Sequence, residues 1–382
     1  MWIYLDIIFA ILLIYIISDK IKSKSLILLA VVLLSLSLFV GLGDMLGGYD
    51  RYIYGFYFDR CSDYIQEGKH IFNPDIMALG YQTEPGYMIW NCLIAYVTAN
   101  RYIFILITTV TIYVLMFFAI KDYTENYPFA VIAFMALWFF FTFTYLRQVF
   151  AATIGFFALR YVLRRRFRNF LFLVLLAASI HNSAFILLPF YFLPVKKYSK
   201  SKILKCMGLC LLVGISDMST GVFAAYSEVS SNEARMAIYD QEGSFRIAYF
   251  VEAAFFLYFI LRNYYKINEN DKQKLMLNNM ALCFCGILLF FIRSENGGRL
   301  AWYYMIGIIA TLTFIVSKKG KSSFESSTLI VVFLGLYIRI LLQWGSMLYP
   351  YKSFLTPGTR PGDEMVETME YDHNYDSNKF YR

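Results

Sequence analysis

The chain has 382 residues, 59% of them hydrophobic and 16% charged, with a mean hydropathy of +0.53. Soluble globular domains are less apolar and carry about a quarter charged residues, which excludes a soluble enzyme. The net charge of +8 is gathered in short clusters between apolar runs, so it reports membrane topology and excludes a nucleic-acid partner.

Apolar runs recur from end to end, of about the length that crosses a roughly 30 Å hydrocarbon core. The reading is an all-α polytopic membrane protein, one integral domain over 1–355. It has about ten transmembrane helices plus re-entrant or short helical segments, the spans lying near 2–17, 26–42, 102–120, 128–145, 148–163, 203–216, 247–262, 275–292, 300–317 and 327–343. No basic residue precedes the first run, and Lys20, Lys22 and Lys24 follow it, which predicts a retained helix with its N-terminus outside.

After the second span, residues 43–84 carry seven acids against Arg51, Arg60 and Lys69 and read as a long outer loop. The basic clusters at 164–168, 196–202, 262–274 and 318–321 read as cytoplasmic, and the acidic loop 217–244 as outer. Two places break the in–out count. The short run 85–99, with Asn91 and Thr98, is predicted to be re-entrant. Residues 170–193 are flanked by basic clusters at both ends and are predicted to form two short helices turning at His181 and Asn182. Residues 356–382 are polar and read as a mobile tail. The six cysteines show neither a disulfide framework nor zinc-type spacing. Cys61 alone lies in a long polar loop.

This topology gathers ionisable residues at the outer face. Arg147 and Gln148 fall at the turn between the fourth and fifth spans, and His181 at the hairpin tip. Arg293 and Arg299 lie in the link "RSENGGR", Arg339 one turn below the end of the last span, and Asp50 and Glu84 in the outer loop. Arginines here run against the positive-inside bias. Their planar forks suit a lipid diphosphate and the charge that builds on it as it departs. His181, Asp50 or Glu84 could take a proton from an attacking hydroxyl. Each residue also has a plainer reading. Arg147 could snorkel from a helix end, Gln148 could tie helices together, and Arg293 could pair with Glu295. Asp50 and Glu84 could be solvated acids.

The stretch "LRQVFAATIGFFALRYVLRRRFRNFLFLVLLAASIHNSAFILLP", with Arg147-Gln148-x-x-Ala151 and His181-x-Ser183-Ala184, resembles the centre of the EpsG family, Wzy-like polysaccharide polymerases. "GYDRYIY", "TEPGY", "GRLAWYY" and "YPYK" agree in order, and Asn182 departs from the basic residue expected after the histidine. The resemblance implies a GT-C-like fold and a glycosyltransferase of the bacterial cytoplasmic membrane, independent of metal and without a cofactor. It would polymerise undecaprenyl-diphosphate-linked oligosaccharide repeat units at the outer face, with a chain-length regulator and a flippase as partners. The alternatives are a lipid-linked oligosaccharide flippase or transporter and a glycan ligase. A transporter would string polar groups through the membrane depth, whereas these gather at one face; a ligase would differ only in its acceptor.

Overall fold

The computed structural model describes residues 1–18, 25–79, 84–216, 218–219, 221, 244–317, 324–368 and 371–382. The basic clusters at 20–24 and 318–321 and nearly all of the loop 217–244 lie outside the described residues.

The chain is all-α and multi-pass. Helices run over Trp2–Ile17 (α1), Leu26–Gly41 (α2), Tyr49–Gln66 (α3), Pro85–Ala95 (α4), Arg101–Tyr123 (α5), Tyr127–Leu137 (α6), Leu146–Leu163 (α7), Phe167–Ile180 (α8), Lys200–Ile215 (α9), Ile247–Arg262 (α10), Lys272–Phe290 (α11), Met305–Ser317 (α12) and Phe324–Gln343 (α13). Among the described residues, five segments are long and apolar enough to cross a membrane: α5, α7, α11, α13 and Asn296–Ser317, which includes α12. Others, such as α1 and α2, are apolar but shorter.

Two expectations change in detail. The span expected over 128–145 stops at Leu137, and a one-turn helix follows at Phe141–Thr144. The interruption is the aromatic run Trp138 to Phe141. Bulky rings lose rotamer freedom against a helical turn, and here they pack sideways instead, Phe140 lying 4.7 Å from the Tyr337 ring. The expected loop 43–84 contains the 18-residue helix α3. Its charges mask a helical face, since Arg51, Tyr54, Phe58, Cys61 and Ser62 are buried at three- and four-residue spacing.

The chain divides into two compact units, 1–153 with 179–181 and 319–382, and 154–178 with 182–318. In the first, α2 lies along α5, α6 packs on α1 and α13, and α3 packs on α4 and α5. In the second, α11 is central and touches α9, α10 and α12. A Cβ on Gly214 would fall 2.0 Å from the Leu289 carbonyl oxygen, so the α9–α11 approach requires a residue without a side chain.

Buried charge in the first unit is matched within that unit. Arg51 is fully buried, and its Nε and Nη2 donate to the carbonyls of Phe143 (2.5 Å) and Val40 (3.2 Å). Arg101 Nε donates to Asp59 Oδ2 at 3.0 Å. Asp44 accepts ion pairs from Lys352 (2.7 Å) and Lys379 (3.0 Å).

The last of these belongs to the segment expected to be a mobile tail. In the structure its described residues dock on the first unit. Tyr375 is fully buried, Tyr52 donates to Asp363 (2.6 Å), Asn100 donates to the Lys379 carbonyl (2.7 Å), and Arg382 donates to Asp63 (2.6 Å). Burial pushes the Lys379 ammonium pKa down, and Asp44 opposes that shift. The tail looks polar because tyrosine counts weakly in hydropathy, yet each ring brings a large apolar face.

Candidate functional site

Three chain segments of the first unit meet at Glu84, Arg147 and His181. Each residue sits where a helix starts or stops. In "TEPGY", Pro85 is disfavoured behind a helical residue, so the helix begins at the proline and Glu84 stays outside it with φ −128° and ψ 60°. Its carboxylate does not cap the helix and is aimed elsewhere. Arg147 is the second residue of α7, after the non-helical Tyr145. His181 occupies the break between α8 and the 3₁₀ turn Asn182–Leu187.

The sequence expectation of two short elements turning at His181 matches the local structure. Arg165, at the start of the segment, donates to the Tyr191 carbonyl near its end (3.1 Å), and the Phe170 and Tyr191 rings lie 5.0 Å apart. The run 170–193 therefore folds back on itself. The other predicted partial element, 85–99, is the 11-residue α4, about half the length of a span.

Glu84 joins the other two side chains. Arg147 Nη1 donates to its Oε2, and His181 Nδ1 lies 3.7 Å from its Oε1. Arg147 is 8% exposed and Glu84 2%, so the pair is nearly dry. The Tyr54 and Tyr87 rings flank the guanidinium, their centroids 5.7 and 5.6 Å from its central carbon. Aromatic faces favour a cation there. A positive charge in the first turn of α7 works against the helix dipole, and the Glu84 carboxylate offsets it. Gln148 is buried beside Arg147 in sequence. Asp50, the second residue of α3, lies one helical turn before Tyr54, so both lie on one face of that helix.

The close approach that sets this geometry is at Gly86. A Cβ there would fall 2.2 Å from Ser179 Oγ and 3.0 Å from the Ser179 carbonyl oxygen. Only glycine lets the start of α4 lie against the end of α8, which brings Glu84 within reach of His181.

A family model described as the EpsG family matches residues 26–353. The chain belongs to the EpsG family. No curated protein and no solved structure matches it.

Three further candidate residues of this EpsG-family protein lie on α13 and in the second unit. Arg339 is exposed, because the buried stripe of α13 is Leu329, Phe333, Tyr337 and Leu341 and Arg339 lies on the other side. Arg293 and Arg299 belong to the second unit. Arg293 Nη1 donates to the Ile215 carbonyl at the end of α9 (3.1 Å), where a cation suits the helix dipole. Arg299 ends the one-turn helix Glu295–Arg299 and is half-buried. In the same unit Ser183 Oγ and the Tyr303 hydroxyl are 2.9 Å apart, joining two of the short motifs that carry the family resemblance.

Sequence reasoning missed Tyr87. Its signal was present in "TEPGY", where it falls three residues after Glu84, within the first turn of α4.

Proposed function

We propose that this protein polymerises lipid-linked oligosaccharide repeat units at the outer face of the bacterial cytoplasmic membrane. The donor is a glycan on undecaprenyl diphosphate, and the acceptor is a hydroxyl of a second lipid-linked unit. The observation that carries this reading is the buried Arg147–Glu84 pair with His181 beside it, in an EpsG-family chain. A buried guanidinium with two tyrosine faces and one carboxylate supplies both electrostatic and proton-transfer chemistry.

The reaction divides between these groups. The acceptor oxygen attacks the anomeric carbon and forms the new glycosidic bond. Its proton passes to a base, His181 or Glu84, which are paired closely enough for one to orient the other. The bond from the anomeric carbon to the diphosphate oxygen breaks, and its electron pair leaves with the diphosphate. Arg147 stabilises that charge through its fork of donors. Such stabilisation is strongest in a site that excludes water, which fits the burial of Arg147.

The gathering of Glu84, Arg147 and His181 at one place favours an enzyme over a flippase, whose polar groups would line a path. The deciding experiment is the length distribution of cell-surface glycan in cells with the intact protein, without it, and with Arg147→Ala. Long chains in the first and single repeats in the other two are expected. Loss of all surface glycan, single repeats included, would indicate a flippase and overturn the reading.

A further inference from the structure

Cys61 and Cys92 stand 31 positions apart, yet their sulfurs lie 3.3 Å from each other. Both are fully buried, with Ile76 and Met88, at the contact between α3 and α4. They are the first unit's own two cysteines; the other four, Cys206, Cys210, Cys283 and Cys285, lie in the second. The cover over the pair is thin. Ile71, Met77 and Leu79, from the short segment between α3 and α4, are only partly buried. A disulfide sets its sulfurs about 2 Å apart, so closure asks for a small shift rather than a rearrangement. Cys92 sits on α4, the helix that Glu84 immediately precedes. Whatever ties Cys92 to Cys61 ties α4, and with it the carboxylate that holds Arg147, to α3.

We propose that Cys61 and Cys92 form a reversible dithiol–disulfide pair that fixes α4 against α3 and thereby positions Glu84. The oxidant is a disulfide, small or carried by a protein. One cysteine thiolate attacks a sulfur of that disulfide and expels one thiol. The second cysteine then attacks the mixed disulfide and expels the other. Two protons and two electrons leave the pair, and one oxidant disulfide becomes two thiols. In cells this rests on the outward orientation proposed above, because a cytosolic pair stays reduced.

The chemistry is tested on the purified full chain in detergent. Exposed thiols such as Cys206 are first blocked with maleimide, and the protein is then treated with dithiodipyridine. A peptide linking Cys61 to Cys92 is expected, with a loss of about two mass units, the two hydrogens given up in the exchange. Both cysteines remaining alkylatable after denaturation would overturn the proposal. The role in positioning is tested in membranes. Chain extension by the wild type should fall on reduction with dithiothreitol, and extension by Cys92→Ala should not respond. Equal sensitivity of both would overturn the positioning role. In cells, acid-trapped protein should carry the pair oxidised. A Glu67→Cys reporter on the exposed end of α3, in a Cys61→Ala/Cys92→Ala background, separates the two readings. An oxidised pair with external labelling of the reporter supports both. A reduced pair with external labelling overturns the switch in cells, and a reporter closed to external reagent overturns the orientation.

Discussion

Arg147 and Glu84 lie 63 positions apart and form an ion pair that is almost wholly buried. The sequence places both in polar breaks and gives no sign that one neutralises the other. Burying either charge alone is costly, and breaking such a pair from one side costs about 3–5 kcal/mol because a charge remains in a dry setting.

The pair gives the first prediction. Arg147→Ala and Glu84→Ala each lower thermal stability in detergent and abolish chain extension. The double variant Glu84→Leu/Arg147→Leu recovers much of the stability, since a matched apolar pair leaves no orphaned charge. It stays inactive if the charges serve chemistry. Recovery of long glycan in the double variant would reduce the pair to a structural role.

His181 is partly accessible and sits in a helix break, so its replacement costs little packing. His181→Ala should keep its level in the membrane and lose about 10²–10⁴-fold in extension rate, the usual contribution of a general acid–base group. Wild-type rates, measured as lipid-linked repeats converted to dimers and longer chains, would remove it from the mechanism.

Gly86→Ala tests the approach of α4 to α8. The added methyl meets Ser179 at less than van der Waals distance, including its backbone oxygen. A loss of about 1–3 kcal/mol is expected, with a fall in activity, and Ser179→Gly should restore only part because the carbonyl remains. An unchanged unfolding temperature would show that the contact relaxes freely.

Arg339 provides the contrast to Arg147. It faces away from the buried stripe of α13, so its replacement by alanine opens no cavity inside the protein. Glycan length should be unaltered. Single repeats from Arg339→Ala would return it to the site.

The docked C-terminal segment gives a fifth prediction. Lys379→Ala removes one of two cations on Asp44 and should cost about 1.5–3 kcal/mol, the worth of a hydrogen bond to a charged group. Limited proteolysis reads this locally. The segment 356–382 should resist cleavage in the wild type and be cut faster in the variant. Equal rates would show that Lys379 does not hold it.

Much of the fold is legible in the sequence because apolar runs and helix punctuation are local signals. The starts of α1, α2 and α7 and the break at His181 follow from composition and nearby residues alone. The site is legible only as a set of residues. That Glu84 faces Arg147 depends on a proline fixing the start of α4 and on a glycine letting α8 approach, both long-range consequences of local chemistry. Helix α3 and the docked C-terminal segment are less legible, because charge and tyrosine count as polar although Arg51, Asp59 and Lys379 are buried with partners from distant segments. Arg339 shows the converse: a charge in an apolar run that lies on the exposed stripe of its helix.

Arg51 also bears on how the chain is assembled. Its guanidinium is buried against the carbonyls of Val40, already synthesised, and Phe143, which follows 92 residues later. The seat of that charge is complete only when both carbonyls are present. A single arginine thus ties the closing of the first unit to the segment that leads into Arg147.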